Sequence, residues 1–305
     1  VSETDREPPE TGPQPTRPRI EPALHVVATP IGAARDITLR ALDILAGADL
    51  LLAEDTRSLR RLMEIHGVRL AGRPLWSYHD HNGAEVHPRV LQRLAAGASV
   101  ALVSEAGTPL VADPGFQMVR AAVHAGHKVR AAPGASALLA ALAVAGLPTD
   151  RFAFLGFPPS SGAARQRFLA EALALPMTAV IYESPKRIHR MLDELVESGG
   201  GDRAAALCRE LTKRFEEVRR ASLRELAAQL RGQALLGEVV LVLGGAEGAV
   251  AASAEEIDRA LEAAMAGSRL REAAEAVAAR FGLPRREVYQ RALQLRDAPR
   301  EEGGS

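Results

Sequence analysis

VALVSEAGTPLVADPG, residues 100–115, is the stretch on which the reading of the whole chain turns. A strand-like run, Val100 to Val103, stops abruptly in small, polar and proline residues: Glu105, Gly107, Thr108, Pro109, Asp113, Pro114 and Gly115. A tight turn accounts for one such loop. It does not account for recurrence. The runs LHVVAT (24–29), DLLLAE (49–54), SVALVS (99–104) and HKVRAA (127–132) look buried on both faces, and the segments between them show helical spacing, as in Ile37, Ala41, Leu42 and Leu45. That alternation predicts an α/β fold with a mainly parallel sheet. Ligands of such sheets bind beyond the carboxyl ends of the strands. Here those ends read TPIG (29–32), EDTR (54–57), SEAGTP (104–109) and PGASA (133–137), so four loops of small and polar residues are expected on one rim.

The second half shows RFAFLGF (151–157), MTAVIYES (177–184), AAALCRELTKRFEEVRRAS (204–222) and GEVVLVLGG (237–245), with helical stretches between. The expected organisation is a disordered tail over 1–22, an N-terminal α/β domain over 23–148, a second α/β domain over 149–244, a Gly/Ala linker over 245–253 and a helical module over 254–298. In that module two short amphipathic helices flank Phe281, Gly282, Leu283 and Pro284, the spacing of a helix-turn-helix. Arginines outnumber acids between Arg269 and Arg296, which suits either contact with RNA phosphates or a solvated packing face.

With 305 residues, 47% of them apolar, the chain can bury more than one core. Lys plus Arg, 38, equals Asp plus Glu, 38, so no global field announces a nucleic-acid or membrane partner. The single cysteine, Cys208, excludes an internal disulfide and a cysteine-based zinc cluster, reads as buried filler and fits a reducing cytoplasm. No run approaches a membrane span, and the proline-rich, acidic start lacks the apolar core of a signal peptide. Neither a G-x-G-x-x-G fingerprint nor a G-x-x-x-x-G-K-[ST] cradle occurs, and Pro30 cannot donate a backbone hydrogen bond. A ligand without phosphates suits such a rim. S-adenosylmethionine, with an adenosine to enclose and a sulfonium that prefers oxygens nearby, is such a ligand.

VVATPIG, DITLRAL, LLAEDTR, SYHDHN, LVSEAGTPLVADPG, PGASALLAAL, GLPTDRFAFLGF, YESPKR and CRELTKRFEE, in unbroken order from about 24 to 244, resemble the tetrapyrrole-methylase superfamily. AEDTR, YHDHN, YESP and RELTK, with the helical AVAARFGLPRREVY, resemble its branch that methylates the ribose 2′-oxygen of a cytidine in the decoding region of 16S ribosomal RNA. The resemblance implies two α/β domains with S-adenosylmethionine folded up between them, a homodimer, a cytoplasmic location, no resident metal, and the small ribosomal subunit as partner. It implies that Pro30, Gly32, Ala106, Gly107, Thr108, Val111, Ser136, Ala137 and Tyr182 line the donor site. The chain departs from the family at Ala33–Asp36, where NLGD is usual, and at Glu105, where an Asp is usual. The usual lysine-bearing loop is replaced by PPSSGAARQR, which leaves Arg165 or Arg167 for an RNA contact there.

Methyl transfer to a ribose hydroxyl needs collinear reacting atoms and a base, or a cation that favours the alkoxide. Glu54, Asp55 and Arg57 at one strand end are candidates, with an internal ion pair and helix cap as the plainer explanation. His79, within His79–Asn82, is a second. Glu183 and Lys213 are third and fourth, against helix capping and a surface charge. The residues leave the choice of base open. Two rival functions remain: a precorrin-type C-methyltransferase on the same fold, and a DNA-binding helix-turn-helix regulator with an α/β sensor.

Overall fold

A computed structural model describes residues 18–246, 254–281 and 283–297. The chain divides into two compact units, one comprising the residues through Ala141 with Arg209–Glu217, the other Leu142–Cys208 with the chain from Val218 onward. The amino-terminal residues through 17, the linker from 247 to 253 and Gly282 of the expected turn lie outside the described residues.

The first unit alternates strand and helix: β1 Leu24–Val27, α1 Leu39–Gly47, β2 Leu50–Ala53, α2 Thr56–Ile65, β3 Leu75–Ser77, α3 Gly83–Ala95, β4 Val100–Val103, α4 Phe116–His124, β5 Val129–Ala132 and the start of α5, Ala137–Ala145. All the strands are parallel, in the order β3-β2-β4-β1-β5. Successive strand residues point to opposite faces. Leu51, Ala53, Ala101 and Val103 therefore pack on Ala41, Leu45, Leu59 and Met63 of α1 and α2. Their neighbours Leu50, Leu52, Val100 and Leu102 pack on Val86, Val90 and Met118 of α3 and α4. A leucine buried in this way contributes roughly 1.5–3 kcal/mol. Two expectations are corrected here. β5 is an edge strand with Arg130 and Ala131 exposed rather than one buried on both faces. The tail expected as far as Pro22 is already docked before it: Ile20 packs against Gly47, and Glu21 forms ion pairs with Lys128 (2.6 Å) and Arg130 (3.1 Å).

The second unit contains β6 Phe152–Gly156, α6 Gly162–Ala174, β7 Thr178–Glu183, α7 Ile188–Leu195, β8 Ala204–Arg209, β9 Glu217–Ser222, α8 Leu223–Leu230 and β10 Val239–Leu243, with sheet order β6-β7-β10-β8-β9. This sheet is mixed: β6 runs parallel to β7, and β10 antiparallel to it. Its core gathers Ile181, Ile188, Leu192, Leu207, Leu226 and Leu241. Helices α9 Ala254–Met265, α10 Leu270–Phe281 and α11 Arg285–Asp297 enclose a small core of Leu261, Val277, Val288 and Ala292. Among the described residues no helix is long and apolar enough to cross a membrane.

Candidate functional site

Because β1–β5 are parallel, their carboxyl ends share one edge. The loops after β1 and β4 are joined there by a two-way bridge, Thr29 N–H to Gly107 O (2.9 Å) and Gly107 N–H to Thr29 O (3.0 Å). The buried Thr29 hydroxyl donates to the Ser104 carbonyl (3.2 Å), and the Ser104 hydroxyl donates to the Gly107 carbonyl. The loop after β5 joins them through Thr108 Oγ1, which donates to Ala135 O (3.1 Å). Gly107, at the junction, has φ +82°, the left-handed region that favours glycine; a Cβ there would also lie 3.4 Å from Ile31. Pro30, Gly32, Ala106, Gly107, Thr108 and Ser136 thus sit on connected loops, with Val111 further along the second and Ala137 opening α5. Apart from the buried Gly107 they are exposed or half-buried, so this edge offers small side chains and carbonyl oxygens to a ligand.

The segment Arg209–Glu217 belongs to this unit. Thr212 Oγ1 accepts from Ala33 N–H (3.1 Å), directly after Gly32. A Cβ on Gly32 would lie 2.5 Å from Lys213 Cγ and 2.6 Å from Thr212 Oγ1, so the absence of a side chain there lets the two segments meet. Lys213 Nζ is held by Glu210 Oε1 at 2.8 Å. Glu210 (φ +51°) and Thr212 (φ +64°) are left-handed without being glycine, as are Leu110 (φ +74°) and Ala112 (φ +57°) in the loop after β4. Such backbone costs about 1–3 kcal/mol per residue and gathers at ligand sites. Here it gathers in two of the loops that carry candidate residues.

The ends of β2 and β3 supply the polar groups. Asp55 accepts from Arg57 N–H (2.8 Å) and Ser58 N–H (3.4 Å) and so caps α2, while its carboxylate also contacts Arg57 Nε (3.4 Å). The Arg57 amide, then its side chain, hold the Asp55 carboxyl below the usual range, so it stays ionised and is a poor proton acceptor. The Glu54 side chain is exposed. His79 follows Tyr78, whose N–H bonds Ala53 O (2.9 Å). Asn82 Oδ1 accepts from His79 N–H (3.0 Å), while His79 Nδ1 is buried with no hydrogen-bond partner among the described residues.

In the second unit Tyr182 is half-buried on β7, edge-on to Phe154 (4.8 Å between centroids) and Phe157 (5.5 Å). Glu183, next to it, is not available for proton transfer. Its side chain is buried, with Arg165 Nη1 on one oxygen (3.3 Å) and Arg187 Nη2 on the other (2.7 Å). Arg165 is itself 1% exposed, bound also to Glu194 Oε2 (2.7 Å) and Pro159 O (3.0 Å). The expectation of an RNA contact from Arg165 is therefore corrected: a guanidinium so enclosed is structural, and of the pair only Arg167 is exposed.

The family model of tetrapyrrole (corrin/porphyrin) methylases matches residues 23–227, two thirds of the chain. The chain belongs to the tetrapyrrole methylases. A second model, described as the RsmI C-terminal HTH domain, matches residues 251–296 of this methylase. It is similar to the ribosomal RNA small subunit methyltransferase I of Mesorhizobium japonicum, 45% identical over 95% of this chain and 97% of that protein. It is also similar to the protein of that name from Mycobacterium tuberculosis, 42% identical over 91% and 95%. Among solved structures, the methyltransferase CobJ matches with TM-score 0.55 at 21% identity, covering 73% of this chain and 94% of that one, which shows the shared fold.

Three features of this methylase escape a reading of residue types alone. Thr29 and Ser104, which lock two loops together, look like ordinary strand-end residues. The seating of Thr212 on Ala33 spans 179 positions. The left-handed Glu210 carries no glycine signal in the sequence.

Proposed function

We propose that this methylase is an S-adenosylmethionine-dependent methyltransferase of small-subunit ribosomal RNA, acting on the ribose 2′-oxygen of a cytidine in the decoding region of 16S rRNA. The observation that carries the donor site is the Thr29–Gly107 bridge with Thr108 on Ala135, three small-residue loops tied at one edge. S-adenosylmethionine supplies an electrophilic methyl group on a sulfonium. Pro30, Gly32, Ala106, Gly107, Thr108, Val111, Ser136 and Ala137 fit it as a close, carbonyl-rich wall, and Tyr182 is the residue that the family resemblance adds to this set. Asp55 and Glu183 are committed to a cap and to an ion network, which leaves Glu54 and His79 to accept the hydroxyl proton. Lys213, oriented by Glu210, provides a cation to stabilise the developing alkoxide.

The small-subunit specificity rests on the relatives at 45% and 42% identity and on the C-terminal match. Relatives covering nearly the whole chain weigh against both the macrocycle reading and the regulator reading. We also infer a cytoplasmic homodimer. The deciding experiment offers labelled S-adenosylmethionine to undermethylated small ribosomal subunits and maps the modified nucleotide. Label on a cytidine 2′-oxygen of 16S rRNA is expected. Label on a base, or transfer only to a precorrin, would overturn the assignment.

A further inference from the structure

The arginine surplus of α10 and α11 is offset within its own module. Glu255, Glu256, Asp258 and Glu262 lie on α9, Arg291 is bound to Asp258 (2.6 Å), and Arg271 and Arg285 lie beside Glu275 (3.8 and 3.6 Å). On a different surface two arginines stand outside any ion pair among the described residues. On α2, Leu59 and Met63 are buried and fix the helix's rotation, which turns Arg57, Arg60 and Arg61 outward. Positions i, i+3 and i+4 share one helix face. Arg60 and Arg61 make no hydrogen bond or ion pair among the described residues, and the Arg57 side chain is 90% exposed although it touches Asp55. The three arginines lie with Glu64 and Ile65 on one open patch of the helix surface. Like charges at this spacing destabilise a helix slightly, so the cluster does nothing for the fold.

Its location gives it a use. α2 starts at the carboxyl end of β2, on the edge where the donor loops meet, and is anchored at both ends: Asp55 caps its start, and His66 Nε2 bonds Ala34 O (2.9 Å) two residues beyond Gly32. Arg35 is exposed in that same loop, and the acids nearest these arginines in sequence are Asp36, Glu54, Asp55 and Glu64, of which Asp55 is held at the α2 cap. Guanidinium forks bind phosphate oxygens in pairs. A chain of phosphates one nucleotide apart suits arginines one helical turn apart.

We propose that the Arg57–Arg60–Arg61 face of α2 is the docking surface for the phosphodiester backbone of the RNA that carries the acceptor ribose. This rests on the reading of the chain as an RNA methyltransferase. The face holds the strand without reading its bases, and leaves choice of the nucleotide to other contacts.

The test uses the full chain and a 16S rRNA transcript in filter binding between 50 and 200 mM salt. Each lost phosphate contact lowers the log–log salt slope by about 0.7–0.9, so Arg60→Glu with Arg61→Glu is expected to lower it by about 1.4–1.8 and to weaken binding at least tenfold. Arg60→Lys with Arg61→Lys should keep the slope, and S-adenosylmethionine affinity by calorimetry should match wild type in both. An unchanged slope and affinity in the Glu variant would overturn the proposal. So would a loss seen only on assembled subunits and not on the transcript, which would identify an acidic protein partner. Methyl transfer by wild type is scored separately: its absence defeats the functional reading, while the salt slope still decides for or against this surface.

Discussion

At the scale of single residues, the site depends on which atoms are absent as much as on which are present. Gly32 sits where any Cβ would press on Lys213, Thr212 and the Leu211 carbonyl, the last at 3.1 Å. Lys213 can swing away, but Thr212 and Leu211 belong to a strained turn that cannot. Gly32→Ala is therefore expected to unseat residues 209–217, break the Ala33–Thr212 bond and lower methyl transfer at least tenfold. Overpacking of this kind costs about 1–3 kcal/mol, so the fold should survive, and steady-state kinetics beside urea denaturation separate the two effects. Glu183 tests the opposite case. Glu183→Ala leaves Arg165 buried with only part of its charge compensated, which costs about 3–5 kcal/mol. Glu54→Ala, at an exposed position, should change stability by about 0.5 kcal/mol or less. Equal urea midpoints for the two variants would refute the structural role given to Glu183. Residue identity alone put both glutamates at strand ends and could not distinguish them, because what separates them is the Arg165 guanidinium, distant in sequence and unremarkable in type.

Among elements, the alternation of apolar runs was legible wherever a strand is central. LLLA is buried along its whole length as β2, and VALV as β4. HKVRAA misled because one apolar side and two alanines mimic a buried strand, whereas β5 has only β1 as a neighbour and turns Arg130 towards Glu21. The run 204–222 reads as one segment, yet it is two strands with a docked turn between them, closed at its base by Arg209 and Glu217 (3.0 Å). In the three-helix module, the bidentate Arg291–Asp258 pair (2.7 and 2.6 Å) ties α11 to α9. Hydrogen bonding from Arg291 holds the Asp258 carboxyl below the usual aspartate range. An aspartate with a depressed folded-state pKa adds stability above its unfolded value, and that stability is lost as pH falls through the folded one. Asp258→Asn should therefore speed hydrogen exchange in α9 and α11 at neutral pH. The difference from wild type should shrink below about pH 4. Because the pair is largely solvent-exposed, its worth is about 0.2–1 kcal/mol; a difference that persists undiminished in acid would assign the effect to shape rather than charge.

For the molecule as a whole, motif order revealed the α/β class and the converging loops, since small residues at strand ends repeat visibly along the chain. The return of residues 209–217 to the first unit was not legible, because a contact across 179 positions leaves no local trace. The homodimer proposed above is likewise spelled out by no motif, and exposed apolar side chains support it. Phe116 and Val123, seven residues apart on one face of α4, are 58% and 60% exposed. Scattered exposed apolar side chains are ordinary, but large ones aligned on a helix mark a surface that a partner covers. A second copy is the occupant the family resemblance implies. Sedimentation velocity of wild type at micromolar concentration should give twice the monomer mass. Phe116→Asp with Val123→Asp should sediment as a monomer with unchanged thermal stability of the monomer, because neither side chain belongs to a monomer core. A wild-type monomer would remove the dimer, and a double variant that still pairs would move the interface off α4.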